Sequence, residues 1–206
     1  MSAFRPWTGF HWALAGCLLA LCAACNRAEP QPAAQSPLLD PATIRDIMDS
    51  MVDPSADYLF ESVSTTIDAN GTTERAPQTD EEWREVRRRA MQLLEAPNLL
   101  VTPGRKVARP EDKAANPEIE LEPEQIRARI DADPATFVRH ARELQDAAMV
   151  ALRASEAKDK EALFRSAEVI DRACESCHLN YWYPNDQRAR EDFEQSAPSA
   201  PSPAGK

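Results

Sequence analysis

Glycine and histidine are scarce in this chain, with five glycines and three histidines among 206 residues. So few glycines, set against many Ala, Leu, Glu and Arg residues, favour helix over sheet. Basic residues are in deficit, 24 against 34 acidic ones, for a formal charge of −10. That balance argues against nucleic acid as a partner and leaves proteins with basic surfaces. No apolar run reaches membrane-spanning length: the longest, FHWALAGCLLALCAA, has about 15 residues where a span needs about 20. No strand-like alternation persists long enough to build a sheet, and no internal repeat is visible.

The apolar run has a different meaning. Arg5 gives it a positive start, and it stops at Cys25, before Asn26 and Arg27. This is the pattern of a secretory signal covering residues 1–24. The stretch LCAAC resembles the bacterial lipoprotein signal, whose cysteine is acylated and becomes the mature N-terminus; this assigns lipidation to Cys25. Cys22 departs from the usual leucine. LAGC, ending at Cys17, fits by letter but would leave LLALCAA exposed, and an ordinary cleaved signal is the third reading. Cleavage leaves Cys25, Cys174 and Cys177. Residues 26–40 have the Pro, Ala and Gln content of a flexible tether. Fully extended, about 15 such residues reach roughly 50 Å. Residues 193–206 read as a disordered Pro/Ser/Ala tail. Asn26 is not the aspartate that commonly retains such proteins at the inner membrane, which points to a lipid anchor in the outer membrane, facing the periplasm.

Between residues 41 and 192, four helical patterns appear. The first opens at Asp40-Pro41; Ile44, Ile47, Met48 and Met51 form its stripe, with Leu59, Val63 and Ile67 as a continuation. Pro54 should kink or restart it, lacking an N–H and crowding the preceding turn. The second opens with the capping box Thr79/Glu82 and buries Trp83, Val86, Ala90, Leu93 and Leu94. The third begins near DADPATF with Phe137, Ala141, Leu144, Ala148 and Ala151. The fourth runs from Asp159 to Tyr181. A long connection, residues 98–133, contains a short helical pattern, EPEQIRARI. Four one-sided stripes bury themselves most simply as an all-α, antiparallel four-helix bundle.

The fourth pattern carries CESCH. Cys174, Cys177 and His178 stand at i, i+3 and i+4, and so project from its apolar face. Zinc asks for four ligands, and His140 is the other histidine on offer; adjacent Cys177 and His178 would have to bind one ion from a single turn. A thioredoxin-like dithiol opens a helix after a strand, whereas this motif ends a long helix. A disulfide suits a two-residue gap in a regular helix poorly. The remaining reading is covalent haem, for which C-x-x-C-H is an attachment signal. Two thiols add to the vinyl groups on one porphyrin edge, and the following histidine supplies an axial nitrogen. The expected cofactor is one haem c, with thioethers from Cys174 and Cys177.

On these residues the chain resembles the class II c-type cytochromes, the cytochrome c-prime family, whose CxxCH lies in the last helix of a four-helix bundle. Tyr181 matches an aromatic that the family tends to carry three residues after the histidine. The resemblance spans residues 41–185, with 98–133 as the departure. It implies His178 as proximal ligand, and a first-helix methionine or an empty site on the other side of the iron. Met48 is the preferred distal ligand, because it precedes the Pro54 distortion; Met51 is second, and core packing is the alternative for both. Met91 and Met149 belong to other helices. A methionine implies electron transfer without enzymatic turnover; an open site implies binding or buffering of small gases such as nitric oxide. Pairing into a homodimer, or service as an electron-accepting subunit of a larger complex, are further implications. Among lesser candidates, His140 borders the core, Trp83, Trp182 and Tyr183 either line the haem pocket or simply pack, and Arg105 is a propionate partner or a solvated loop residue.

Overall fold

The computed structural model describes residues 41–69 and 71–196; the signal segment with Cys25, the tether and residues 197–206 lie outside the described residues. The described chain is mostly helical. A short α1 (Ile44–Ile47) runs through a π-helical turn (Met48–Val52) into α2 (Asp53–Ser62). A hairpin of β1 (Ser64–Asp68) and β2 (Gly71–Arg75) follows. Then come α3 (Asp80–Leu100), α4 (Pro123–Ala132), α5 (Pro134–Ala157), α6 (Lys160–Tyr181) and α7 (Gln187–Gln195). No described helix is long and apolar enough to cross a membrane.

Local chemistry sets most of these boundaries. Thr79 and Glu82 form the reciprocal cap that starts α3, and Asp133 and Asp159 accept hydrogen bonds from Thr136 N and Ala162 N to start α5 and α6. Lys158, left-handed at φ 51°, ends α5, so that α6 turns back with only Lys158 and Asp159 between. The first helix starts later than the Asp40-Pro41 reading: Thr43 is its cap, with Thr43 Oγ1 accepting from Asp46 N at 3.0 Å and Asp46 answering Thr43 N at 3.0 Å.

Three expectations need correction. A small sheet exists: Ser64 pairs with Arg75 and Asp68 with Gly71, antiparallel. Threonines and Ile67 supply β-branched side chains, and Gly71 adopts φ 127°, open to glycine. Ile67, 79% exposed, therefore leaves the core stripe. The long connection spans 101–122, because α3 continues through Pro97 to Leu100 and the EPEQIRARI pattern folds as α4. The tail begins later than 193, since α7, capped by Asp186, extends to Gln195 with Arg172 over the Phe193 ring at 4.5 Å.

Neighbouring long helices run antiparallel. Lys158, beyond the end of α5, meets Asp80 at the start of α3 at 2.6 Å, and Gln145 reaches Leu94 O at 3.3 Å. Arg89 lies over the Tyr58 ring at 5.4 Å and Ser55 is bonded to Gln92, which aligns α2 against α3. Asn180 meets His140 at 2.6 Å, joining the end of α6 to the start of α5. The α2 helix also touches α6. The core between them is built of Leu59, Val86, Leu93, Leu163 and Ile170, with Ala90, Ala96, Ala147, Ala148 and Ala151 where helices approach closely.

Candidate cofactor site

Cys174, Cys177 and His178 share one face of α6 and are half-buried, and both sulfurs are free. Burial pushes each thiol up to about 12, with Asp171 adding to the effect at Cys174 and the neighbouring Cys174 at Cys177. These are neutral thiols, unlike the activated dithiol that opens a helix. Burial alone draws His178 down to about 4, so its imidazole is neutral at pH 7. No group of three or more His, Cys, Asp or Glu side chains converges as a metal cage among the described residues.

The chain wraps tightly around His178. Trp182 N and Tyr183 N both donate to His178 O, at 2.8 and 3.0 Å. The Trp182 ring stands edge-on to the imidazole with centroids 5.1 Å apart, and the Tyr183 ring lies tilted at 5.6 Å. Tyr183 Oη donates to Glu175 Oε2 at 2.7 Å and lies 3.4 Å from His178 Nδ1. Burial first, then Glu175, raises the Tyr183 phenol.

A cavity of about 170 Å³ adjoins this face, lined by Ile44, Met48, Phe137, Cys177, His178, Tyr181 and Trp182. Phe137 and Tyr181 meet edge to face at 5.4 Å. Its other wall was not foreseen: Val107, Ala108 and Leu121 of the connection, with Ile126 and Ile130 of α4. The signal lay in the sequence, as isolated apolar positions in an otherwise polar stretch. The connection is pinned on both sides. Ile44 N and Arg45 N donate to Lys106 O and Val107 O at 2.9 Å, which satisfies open N–H groups of the first helix turn. Arg109 pairs with Asp46 at 2.7 Å, and Leu121 N bonds to Trp182 O at 2.7 Å.

Met48 lines the cavity together with His178 and Cys177, whereas Met51, though half-buried against the core, does not. The reason given for preferring Met48 is corrected. Both methionines lie within the π-helical turn, whose extra residue is closed by Asp53 N donating to Met48 O, immediately before Pro54. The widened turn accommodates the missing N–H of Pro54 and alters the direction of the side chains on it.

Arg105 is not a solvated loop residue. It is buried, with Nε donating to Leu99 O at 2.6 Å, Nη1 to Ala42 O and Nη2 to Thr102 Oγ1 at 3.3 Å. It ties the connection to the end of α3 and the start of the first helix. His140 is buried with both nitrogens engaged, Nδ1 with Glu143 at 2.9 Å and Nε2 with Asn180 at 2.6 Å. Trp83, Met91 and Met149 lie in or against the core, outside the cavity lining. The chain matches no protein-family model, no curated protein and no solved structure.

Proposed function

We propose that this chain is a class II c-type cytochrome: an antiparallel four-helix bundle of the first helix, α3, α5 and α6 that carries one covalent haem c and transfers single electrons. The closed ring of contacts from α2 to α3, α5, α6 and back to α2 supports the bundle. One observation carries the functional reading. Two neutral, half-buried thiols and a neutral imidazole share one helical face, and Cys177 and His178 of that face line an apolar cavity that Met48 also lines, while Cys174 lies outside its lining.

The donor set suits the group: Cys174 and Cys177 would hold it by thioethers, and His178 and Met48, ahead of Met51, would supply a nitrogen and a sulfur to its iron. When bound, haem supplies reversible one-electron chemistry at its iron. The cavity, about 170 Å³, is smaller than the roughly 300–1,000 Å³ typical of ligand pockets. Phe137, Tyr181, Ile126 and Ile130 give the site apolar walls. The methionine ligand favours the reduced state relative to a second histidine.

The signal-like segment and LCAAC support a periplasmic protein anchored through Cys25, in the outer membrane by the identity of Asn26. The charge of −10 suits a redox partner with a basic surface, with association that slows as salt rises. A homodimer through helix faces belongs to the same reading. The test is the visible spectrum of the purified protein in both oxidation states. Electron transfer predicts a low-spin ferrous spectrum and a ferric methionine–iron charge-transfer band that Met48→Leu abolishes and Met51→Leu leaves. A high-spin spectrum that responds to carbon monoxide or nitric oxide replaces it with the gas-binding function.

A further inference from the structure

We infer that Tyr183, held by Glu175, is a positioning residue for the His178 imidazole, fixing its proton on Nδ1 and leaving Nε2 as the nitrogen that can bind a metal. This rests on the haem reading for its consequence, though its geometric basis is independent of it. A tyrosine hydroxyl has one proton to give. The 2.7 Å bond to Glu175 Oε2 takes that proton, so the lone pairs of Tyr183 Oη are what faces His178 Nδ1 at 3.4 Å. The contact is attractive only when Nδ1 carries hydrogen. The resulting chain runs from Nδ1–H to the phenol oxygen, and from the phenol O–H to a carboxylate.

The backbone enforces this arrangement. Helix α6 ends at Tyr181, and the two hydrogen bonds that His178 O accepts from Trp182 N and Tyr183 N fold the next residues back over the ring. Glu175 lies one turn earlier on the same helix, within reach of the returning hydroxyl. His178, Tyr183 and Glu175 are all half-buried, where hydrogen bonds are electrostatically stronger than in water. A hydrogen bond to a carboxylate is charge-assisted, and it makes the phenol oxygen a better acceptor. The partner of the unligated nitrogen orients a metal-binding histidine and raises its basicity. Here that partner carries the influence of a full negative charge toward the imidazole, which stabilises the oxidised state of iron bound at Nε2.

Two isosteric variants of the full-length, haem-loaded protein test this: Tyr183→Phe keeps the ring packing and removes the hydroxyl, and Glu175→Gln keeps the size and removes the charge. In a spectroelectrochemical titration, both should shift the ferric–ferrous equilibrium toward the reduced state by about tenfold, about 59 mV for a one-electron couple. An unchanged potential in Tyr183→Phe, or a change there with none in Glu175→Gln, overturns the relay. A second measurement needs no cofactor. Nitrogen-15 spectra of the histidine-labelled full chain at pH 7 should show His178 protonated at Nδ1, and the Nε2–H form overturns the inference. If the wild-type chain takes up no covalent haem, the functional reading falls, while this tautomer measurement still decides the geometry.

Discussion

The two ends of the helical body are built on different principles. At one end, α5 turns into α6 through Lys158 and Asp159, Lys158 reaches across to Asp80, and alanines such as Ala148 and Ala151 let the helices approach closely. At the other end lie the start of the first helix, the end of α3, the 101–122 connection, α4 and the end of α6. There α5 and α6 meet through His140–Asn180 and Phe137–Tyr181, and bulky aromatics, a π-helical turn and a pinned connection border a cavity. Small residues and a short turn make a tight end, whereas bulky residues and a long connection make a receptive one. Cys177, His178 and Met48 collect at the receptive end, on the lining of its cavity.

Substitutions can break this contrast or sharpen it. The largest effect is expected at Leu163, fully buried in α6 near its start: Leu163→Ala should lose about 3–4 kcal/mol in urea unfolding, while Ile126→Ala, half-buried in the cavity wall, should lose under about 1 kcal/mol. Equal losses would mean that the two ends are packed alike.

Next comes pH. In the cofactor-free chain, burial draws His178 down to about 4 from its ordinary 6.5. Between those values the unfolded chain binds more protons, so falling pH destabilises the fold. The penalty is absent above 6.5 and grows to about 2–3 kcal/mol near pH 4. Unfolding of wild type and His178→Gln at pH 7 and pH 4.5 isolates it; parallel losses in both would assign the acid sensitivity elsewhere.

Arg105→Met should cost about 2 kcal/mol, because several carbonyl and hydroxyl acceptors lose a charged donor. Hydrogen exchange should rise across 101–122 and leave the α3–α5 contact unchanged. The smallest contrast is steric. Ala148→Leu overfills the tight end and should cost about 1–2 kcal/mol, whereas Ala115→Leu, exposed on the cavity wall, should stay within about 0.5 kcal/mol of wild type.

The tight end was largely legible in the sequence. The Thr79/Glu82 box, the start of the fourth pattern at Asp159 and the stripes of α3, α5 and α6 are local signals, and local signals fix helix boundaries well. The cysteines and His178 were legible for the same reason, as neighbours on one turn. The receptive end was less so. Its far wall is made by residues distant in sequence, whose apolar spacing has no period. Arg105 shows the limit most clearly: a charged residue in a Pro-Gly loop reads as solvated, and only its convergence with Leu99, Thr102 and Ala42 buries it. The hairpin and the π-helical turn were missed because each is a short response to its surroundings, the first to exposed β-branched residues and the second to Pro54.

The most direct measurement is retention of haem after unfolding. Protein produced in cells competent for covalent attachment, then denatured and extracted with acid, should stay coloured and weigh the polypeptide plus one haem, and Cys174→Ala with Cys177→Ala together should release all colour. A colourless chain with both thiols titratable would contradict a haem on α6 and leave the cavity without its proposed occupant.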